Sequence, residues 1–186
     1  MELTAVLCSR NEHKRRELEH ALPGWRIELL EADAYPAEEG ETFIENARAK
    51  ARFGRAVGPG DAWMLGEDSG LEVHALGGGP GVESARWARG RHVERVLEAL
   101  HGVADRRARY VCELVTLAPD GRELRGTGIL EGRIAEAPAG SGGFGFDPVF
   151  VPKGEERTVA QLGDEWKARS SHRARAAHAL LLVLTA

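Results

Sequence analysis

The chain has 186 residues, 42% of them hydrophobic and 29% charged, with a net charge of -4. That length suits a single domain over 1–186 with a substantial core, and the balance is that of a globular protein in water. A mildly acidic chain excludes a broad nucleic-acid-coating face, no apolar run approaches bilayer-spanning length, and the N-terminus lacks a secretory pattern, so a cytoplasmic protein with neither nucleic acid nor membrane as partner is expected. Cys8 and Cys112 stand alone in apolar segments and read as core residues. Only four of the 25 basic residues are lysines, Lys14, Lys50, Lys153 and Lys167, so a lysine marks a place that needs a compact charge.

Leu3 to Cys8 is apolar and predicts a buried strand. Ser9 and Glu12 then have capping-box spacing, which predicts a helix to about Leu22, stopped by Pro23-Gly24. A strand running into a helix start is an anion site in waiting, with Arg10 and Lys14 adding charge, although an ordinary capped helix has the same pattern. Trp25 to Leu30 predicts a second strand, followed by an acid-rich loop containing Glu38, Glu39 and Glu41. Thr42 and Glu45 form a second capping box opening a helix from Phe43 to about Val57, on which Asn46 and Lys50 share a polar stripe beside Phe43, Ala47 and Ala51.

Ala62 to Leu65 predicts a buried strand that reaches two adjacent carboxylates, Glu67 and Asp68, and then a Ser69-Gly70 turn. Ligand crevices in open α/β sheets lie beyond the carboxyl ends of strands, so this pair either holds a hard cation and takes a proton from water or merely faces solvent. Leu71 to Leu76 alternates as a separate half-buried strand with His74 towards solvent, and Val82 to Trp87 resumes after a glycine-rich connection. His92 to His101 has amphipathic helical spacing. Ala108 to Ala118 and Glu123 to Ile134 read as long strands joined at Pro119-Asp120-Gly121, hence an antiparallel portion and a mixed sheet.

Gly140, Gly142 and Gly145 have dinucleotide-motif spacing, yet they lead into Asp147-Pro148 and a strand where a Rossmann turn opens a helix, so that reading is rejected. Glycines there, Gly145 among them, let the backbone approach a ligand, with Phe144 and Phe146 available to stack on a planar base and Asp147 to accept hydrogen bonds or fix the loop. Thr158 to Leu162 predicts a short helix, and Ser170 or Ser171 caps a final one facing inward through Ala174, Ala177 and Leu180. His172 and Arg173 in its first turn oppose the helix dipole, which points to an anionic or polar ligand beside them.

Taken together, Ser9-x-Asn11-x-x-Lys14, Thr42-Phe43-x-Glu45-Asn46-Ala47-x-x-Lys50, Glu67-Asp68-Ser69-Gly70-Leu71, Pro80-Gly81-x-x-Ser84-Ala85-Arg86, Gly142-Gly143-Phe144-Gly145-Phe146-Asp147-Pro148 and Ser171-His172-Arg173 resemble the inosine triphosphate pyrophosphatase family, the Ham1-like non-canonical purine triphosphate pyrophosphatases. The resemblance spans nearly the whole chain. It implies an α/β fold with a long mixed sheet flanked by helices, two lobes with a central active-site cleft, and a homodimer. It implies Mg²⁺-dependent hydrolysis of a nucleoside triphosphate such as ITP, dITP or XTP between the α and β phosphates. By position, Asp68 is implied as general base or metal ligand, with Glu67 and Glu38 as metal-binding companions. Ser9, Arg10, Asn11, Lys14, Lys50 and Ser69 are implied around the triphosphate. Phe144, Gly145, Phe146, Asp147, Lys167, His172 and Arg173 are implied around the base. Glu67 and Phe146 depart from the family's usual Asp and Tyr or Trp, the connection after Arg86 is short, and Glu39 or Glu41 is an alternative to Glu38. A pyrophosphatase for other modified nucleotides and a non-catalytic nucleotide sensor are the competing readings.

Overall fold

The computed structural model describes residues 3–185. Its centre is a mixed sheet of six strands in the order β2-β1-β3-β4-β5-β6. β1 (Leu3–Leu7) runs parallel to both β2 (Trp25–Leu29) and β3 (Trp63–Val73). β4 (Arg107–Leu117), β5 (Glu123–Ile134) and β6 (Phe150–Pro152) continue from β3 in antiparallel pairing. The apolar strands and the Pro119-Asp120-Gly121 turn therefore sit where their patterns place them.

Helix starts follow local hydrogen bonding. α1 (Glu12–Ala21) is capped by Asn11, whose Oδ1 accepts from the backbone of His13 at 3.0 Å and Lys14 at 3.2 Å. This corrects the expected Ser9 cap: Ser9 Oγ instead accepts from Asn11 N at 3.0 Å and fixes the approach to the helix. α2 (Phe43–Val57) begins in the Thr42–Glu45 capping box with the expected bounds. α5 (Val159–Ser170) is longer than the predicted single turn because the chain passes a non-helical Gly163 and resumes. Ser171 caps α6 (His172–Leu184), accepting from Ala174 N at 3.2 Å.

Two strand expectations fail. The segment from Val82 folds into a 3-10 turn and the short helix α3 (Ser84–Ala88), followed by α4 (His92–Ala99). More consequentially, no turn follows Glu67-Asp68. β3 runs unbroken through both carboxylates and Ser69-Gly70, because β4 pairs with it from Met64 to Val73, and His74 opens a 3-10 turn at its end. Gly70, which suggested the turn, instead lets the Gly81 carbonyl approach, 2.3 Å from where a Cβ would stand, and Gly66 also serves packing. A Cβ on Gly66 would lie 1.9 Å from the Ala47 carbonyl oxygen, so only glycine lets α2 seat on the strand.

This continuity sets the site. Side chains alternate across a strand, so Leu65, Glu67, Ser69 and Leu71 face one side of the sheet and Met64, Gly66 and Asp68 the other. On the first side Leu65 joins a core with Leu18, Leu114 and Leu180 of α1, β4 and α6, whereas Leu71 joins a second core with Tyr110, Ile134 and Phe150. Glu67 and Ser69 occupy the gap between the two. On the other side α2 packs Ala47 and Ala51 against Val115. β1 stops at Leu7, opposite Leu65, so the edge of β3 beyond it is uncovered just where the carboxylates lie. Cys8 and Cys112 are buried free thiols, as expected. No helix among the described residues is long and apolar enough to cross a membrane.

Candidate active site

Glu67 and Asp68 are neighbours in sequence, but each is the centre of a separate ionic cluster. Glu67 is 2% exposed. Lys14 of α1 lies 2.6 Å from its Oε2 and Arg173 Nε of α6 lies 3.0 Å from its Oε1. Burial pushes the Glu67 carboxyl up, yet the two cations outweigh it and hold the group below the usual carboxylate range. Arg173 extends the cluster by donating from Nη1 to Glu17 at 2.9 Å and from Nη2 to Ser69 Oγ at 2.8 Å. Glu17 also takes Lys167 Nζ at 2.6 Å, and Lys167 reaches Asp147 Oδ2 at 2.7 Å. A chain of alternating charge thus runs from Lys14 to Asp147.

Across the sheet, Asp68 is 4% exposed and faces α2. Lys50 Nζ lies 2.8 Å from its Oδ1 and Asn46 Nδ2 donates to Oδ2 at 3.2 Å. Lys50 also donates to the Glu67 carbonyl at 3.1 Å and pairs with Glu38. Among the three acids of the loop, Glu38 alone turns inward, while Glu39 and Glu41 are exposed. Asn46 Oδ1 accepts from Gly40 N at 2.8 Å and Arg86 donates to the Glu38 carbonyl at 2.6 Å, so the loop is tied down on both sides of Glu38. Burial pushes the Asp68 carboxyl above its ordinary value, and Lys50 offsets this only in part. A buried carboxylate raised in this way is better suited to take a proton than an exposed one.

Two hollows meet at these clusters. A cavity of about 240 Å³ is lined by Ser69, Tyr110, Phe146, Asp147, His172 and Arg173, among others. An open groove runs past Ser9, Arg10, Asn11, Lys14, Glu38 and Lys50, and the two share Asn11, Lys14 and Ala85. The groove lies over the N-terminus of α1, where free amide donors and the helix dipole favour an anion. The cavity is more enclosed and its exposed wall is mostly apolar, as small-molecule sites are.

Residues 5–183 match the model of the Ham1 family. The chain belongs to the Ham1 family. It is 44% identical over 181 residues to the dITP/XTP pyrophosphatase of Gloeobacter violaceus, covering 95% of this chain and 91% of that protein. It is 45% identical over 191 residues to a dITP/XTP pyrophosphatase of Thermus thermophilus, covering 96% of this chain and 90% of that protein. The solved Ham1 protein of Staphylococcus aureus superposes with a TM-score of 0.83 at 34% identity, over 98% of each chain.

Within this Ham1-family fold most of the predicted site residues line the two hollows, whereas Glu67 and Asp68 line neither and stand behind Lys14 and Lys50, and several others have unexpected attitudes. Arg10 lines the groove but spends its guanidinium on the Ala32 and Asp33 carbonyls, at 3.1 and 2.9 Å, and lies over Tyr35. Phe144 and Gly145 border the cavity, where Phe144 stacks on His13 with ring centres 5.1 Å apart. Phe146 is buried in the wall against Trp87 and His92. Asp147 accepts from Tyr110 Oη at 3.2 Å and from Phe144 N at 3.0 Å. Lys167 stands behind Asp147 in a different hollow, so it fixes the wall and does not line the cavity.

Glu17 and Tyr110 are site-forming residues that sequence reading did not single out, and Asn46, placed from the sequence on a polar stripe with Lys50, is one that it gave no role. Glu17 lies three residues after Lys14 on α1, a spacing that places both on one helix face. Tyr110 follows from strand alternation on β4, but only once its face is known to meet the loop.

His172 lies in the cavity wall stacked on Tyr110, ring centres 4.5 Å apart, and its buried Nδ1 has no hydrogen-bond partner among the described residues. Burial, reinforced by Arg173, lowers its pKa to about 3, so the imidazole is neutral at physiological pH. In the unfolded chain the same group titrates near the ordinary histidine value, about 6.5. Between those values the unfolded state binds the extra proton, so this contribution to stability is full above the unfolded value and falls as the pH drops towards 3. Wild-type protein should therefore lose about 2 kcal/mol more unfolding free energy between pH 8 and pH 5 than His172→Gln does. Denaturant titrations at both pH values measure this, and equal losses would show that His172 is not buried neutral.

Proposed function

We propose that this chain hydrolyses non-canonical purine nucleoside triphosphates, dITP, XTP and ITP, to the monophosphate and pyrophosphate. The observation that carries the reading is the junction of the two hollows: a purine-sized cavity opens directly into a cationic groove flanked by a buried carboxylate that can act as base. The names of the relatives, dITP/XTP pyrophosphatases, agree with it. On this reading the base enters the cavity, the triphosphate lies along Ser9, Asn11, Lys14 and Lys50, and the α phosphorus sits near Asp68. Water attacks that phosphorus, an O–P bond forms, the bond to the bridging oxygen breaks, and the water proton passes to the Asp68 carboxylate. Lys14 and Lys50 stand where negative charge builds on the leaving pyrophosphate.

The acid set suits a hard cation. Glu38 and Asp68 both converge on Lys50 Nζ, so their oxygens already surround one centre of positive charge. No group of three His, Cys, Asp or Glu side chains among the described residues is placed to hold a metal ion, so phosphates and water would have to complete the shell of a cation bound here. Mg²⁺ held by Glu38 and Asp68 would neutralise phosphate oxygens as the anhydride opens. Glu67, also expected as a ligand, has its two oxygens engaged by Lys14 and Arg173, and its contribution here is to hold those cations in place.

Selectivity follows from the cavity. A neutral His172, the spare N–H groups of Arg173 and the fixed Asp147 present a donor and acceptor pattern to the base edge, and a base that leaves these groups unpaired is rejected strongly. Pyrophosphate release from ITP, dITP and XTP in the presence of Mg²⁺ should exceed that from ATP and GTP by at least about 100-fold in kcat/KM. Equal rates would refute the selectivity, and binding without release would indicate a sensor. The molecule is further expected to act as a cytoplasmic homodimer without nucleic acid or membrane partners.

A further inference from the structure

Most polar side chains around the base cavity have committed their hydrogen bonds to one another. Ser84 Oγ donates to the Gly81 carbonyl at 2.6 Å and accepts from Leu71 N at 2.8 Å. Ser69 and Tyr110 are engaged with Arg173 and Asp147, and Lys14 with Glu67. Asn11, shared with the groove, uses its Oδ1 to cap α1 and keeps its amide at the junction of the two hollows; at the base end two imidazoles remain. One is His172; the other is His92, the first residue of α4, which lines the same cavity and whose side chain makes no hydrogen bond among the described residues.

His92 is half-buried, and its ring meets Phe146 edge to face with centres 4.9 Å apart at 80°. Phe146 is itself 4% exposed and backed by Trp87, so the imidazole rests on a rigid surface. The loop approaches it through Gly145, where a Cβ would stand 3.8 Å from His92 Cδ2. His92 does not line the groove of Ser9, Lys14 and Lys50, which places it at the base end of the site. Polar groups that are preorganised and unpaired in a ligand cavity are the ones that fix ligand orientation.

Resting on the function proposed above, we infer that His92 is a further specificity-determining residue, hydrogen-bonding the nucleobase from the α4 wall while His172 and Arg173 address it from α6. The base is then held between two histidines on separate elements, and the hydrogen-bonding part of one wall comes from the short segment after Arg86.

Calorimetric binding of IMP and of inorganic pyrophosphate, with Mg²⁺ present, tests this in wild-type protein and in His92→Phe and His92→Gln. Phenylalanine keeps the ring contact with Phe146 and removes the nitrogens; glutamine keeps hydrogen-bonding capacity and loses the ring. His92→Phe should weaken IMP about three- to tenfold, the range of one net hydrogen bond, with pyrophosphate affinity unchanged. His92→Gln should recover part of that loss, and ITP turnover by His92→Phe should be impaired through KM more than through kcat. An IMP affinity that His92→Phe leaves within about 1.5-fold of wild type, about 0.24 kcal/mol, overturns the inference. So does a loss shared equally by pyrophosphate or reproduced in full by His92→Gln, because the effect would then lie in packing. Failure of the wild-type protein to hydrolyse ITP would instead strike the proposed activity, while IMP binding still decides the role of His92.

Discussion

Asp68→Asn is expected to lower kcat for ITP by about 10²–10⁴-fold, the range a positioned general base contributes. Asparagine preserves the volume and its Oδ1 can still accept from Lys50, which keeps Glu38 as its anion, so only the 3.2 Å bond from Asn46 Nδ2 is lost, about 1 kcal/mol. Protein stability and triphosphate binding should therefore survive while turnover does not. The same carboxyl dictates the pH response. Burial raises it above the ordinary aspartate value, and only the ionised form accepts a proton, so kcat/KM falls as the pH drops through that raised value. Pyrophosphate release measured across pH in wild type and variant checks both, and a variant with more than about a tenth of wild-type kcat would remove Asp68 from the role of base.

The choice between Asp68 and Glu67 shows what was legible in the chain and what was not. Helices α2 and α4 and strands β4 and β5 follow from capping boxes and periodicity, because those signals are local. The Glu67-Asp68-Ser69-Gly70 stretch reads locally as a turn, since acids and glycines are poor strand formers. Three non-local facts override that reading: β4 pairs along the whole segment, α2 requires Gly66, and cations from three helices neutralise the acids. Strand alternation then sends the two carboxylates to opposite faces, which spacing alone suggests only after the turn is rejected. The Lys167–Glu17–Arg173 links are invisible for the same reason, since they join α1 to α5 and α6 at the other end of the chain. The rarity of lysine is a better guide, because Lys14, Lys50 and Lys167 each pair with a buried or partly buried carboxylate of the site.

Glu67→Gln separates the two roles open to this acid. As an ion-pair anchor, Glu67 is the carboxylate that neutralises Lys14, and it shares Arg173 with Glu17. Removing one partner of a buried pair costs about 3–5 kcal/mol because the remaining charge stays desolvated. Lys14 is 18% exposed at its side chain and can relax towards the groove, and Arg173 keeps Glu17 and Ser69, so the lower end of that range, about 3 kcal/mol, is expected. For a chain of this length that is a fall of roughly 6–12 °C in Tm, observable without Mg²⁺. Pyrophosphate should then stabilise the variant more than the wild type, since an anion in the groove supplies the charge Lys14 has lost. A carboxylate whose purpose is to bind metal behaves in the opposite way: its neutral amide relieves repulsion in the metal-free protein, leaves Tm unchanged or higher, and raises the Mg²⁺ concentration needed for half-maximal activity. Thermal melts of both proteins with EDTA, with pyrophosphate and with Mg²⁺ distinguish these outcomes. The two short contacts to Lys14 and Arg173 favour the first, making Glu67 the residue that ties a groove-lining cation and a cavity-lining cation to one point on β3.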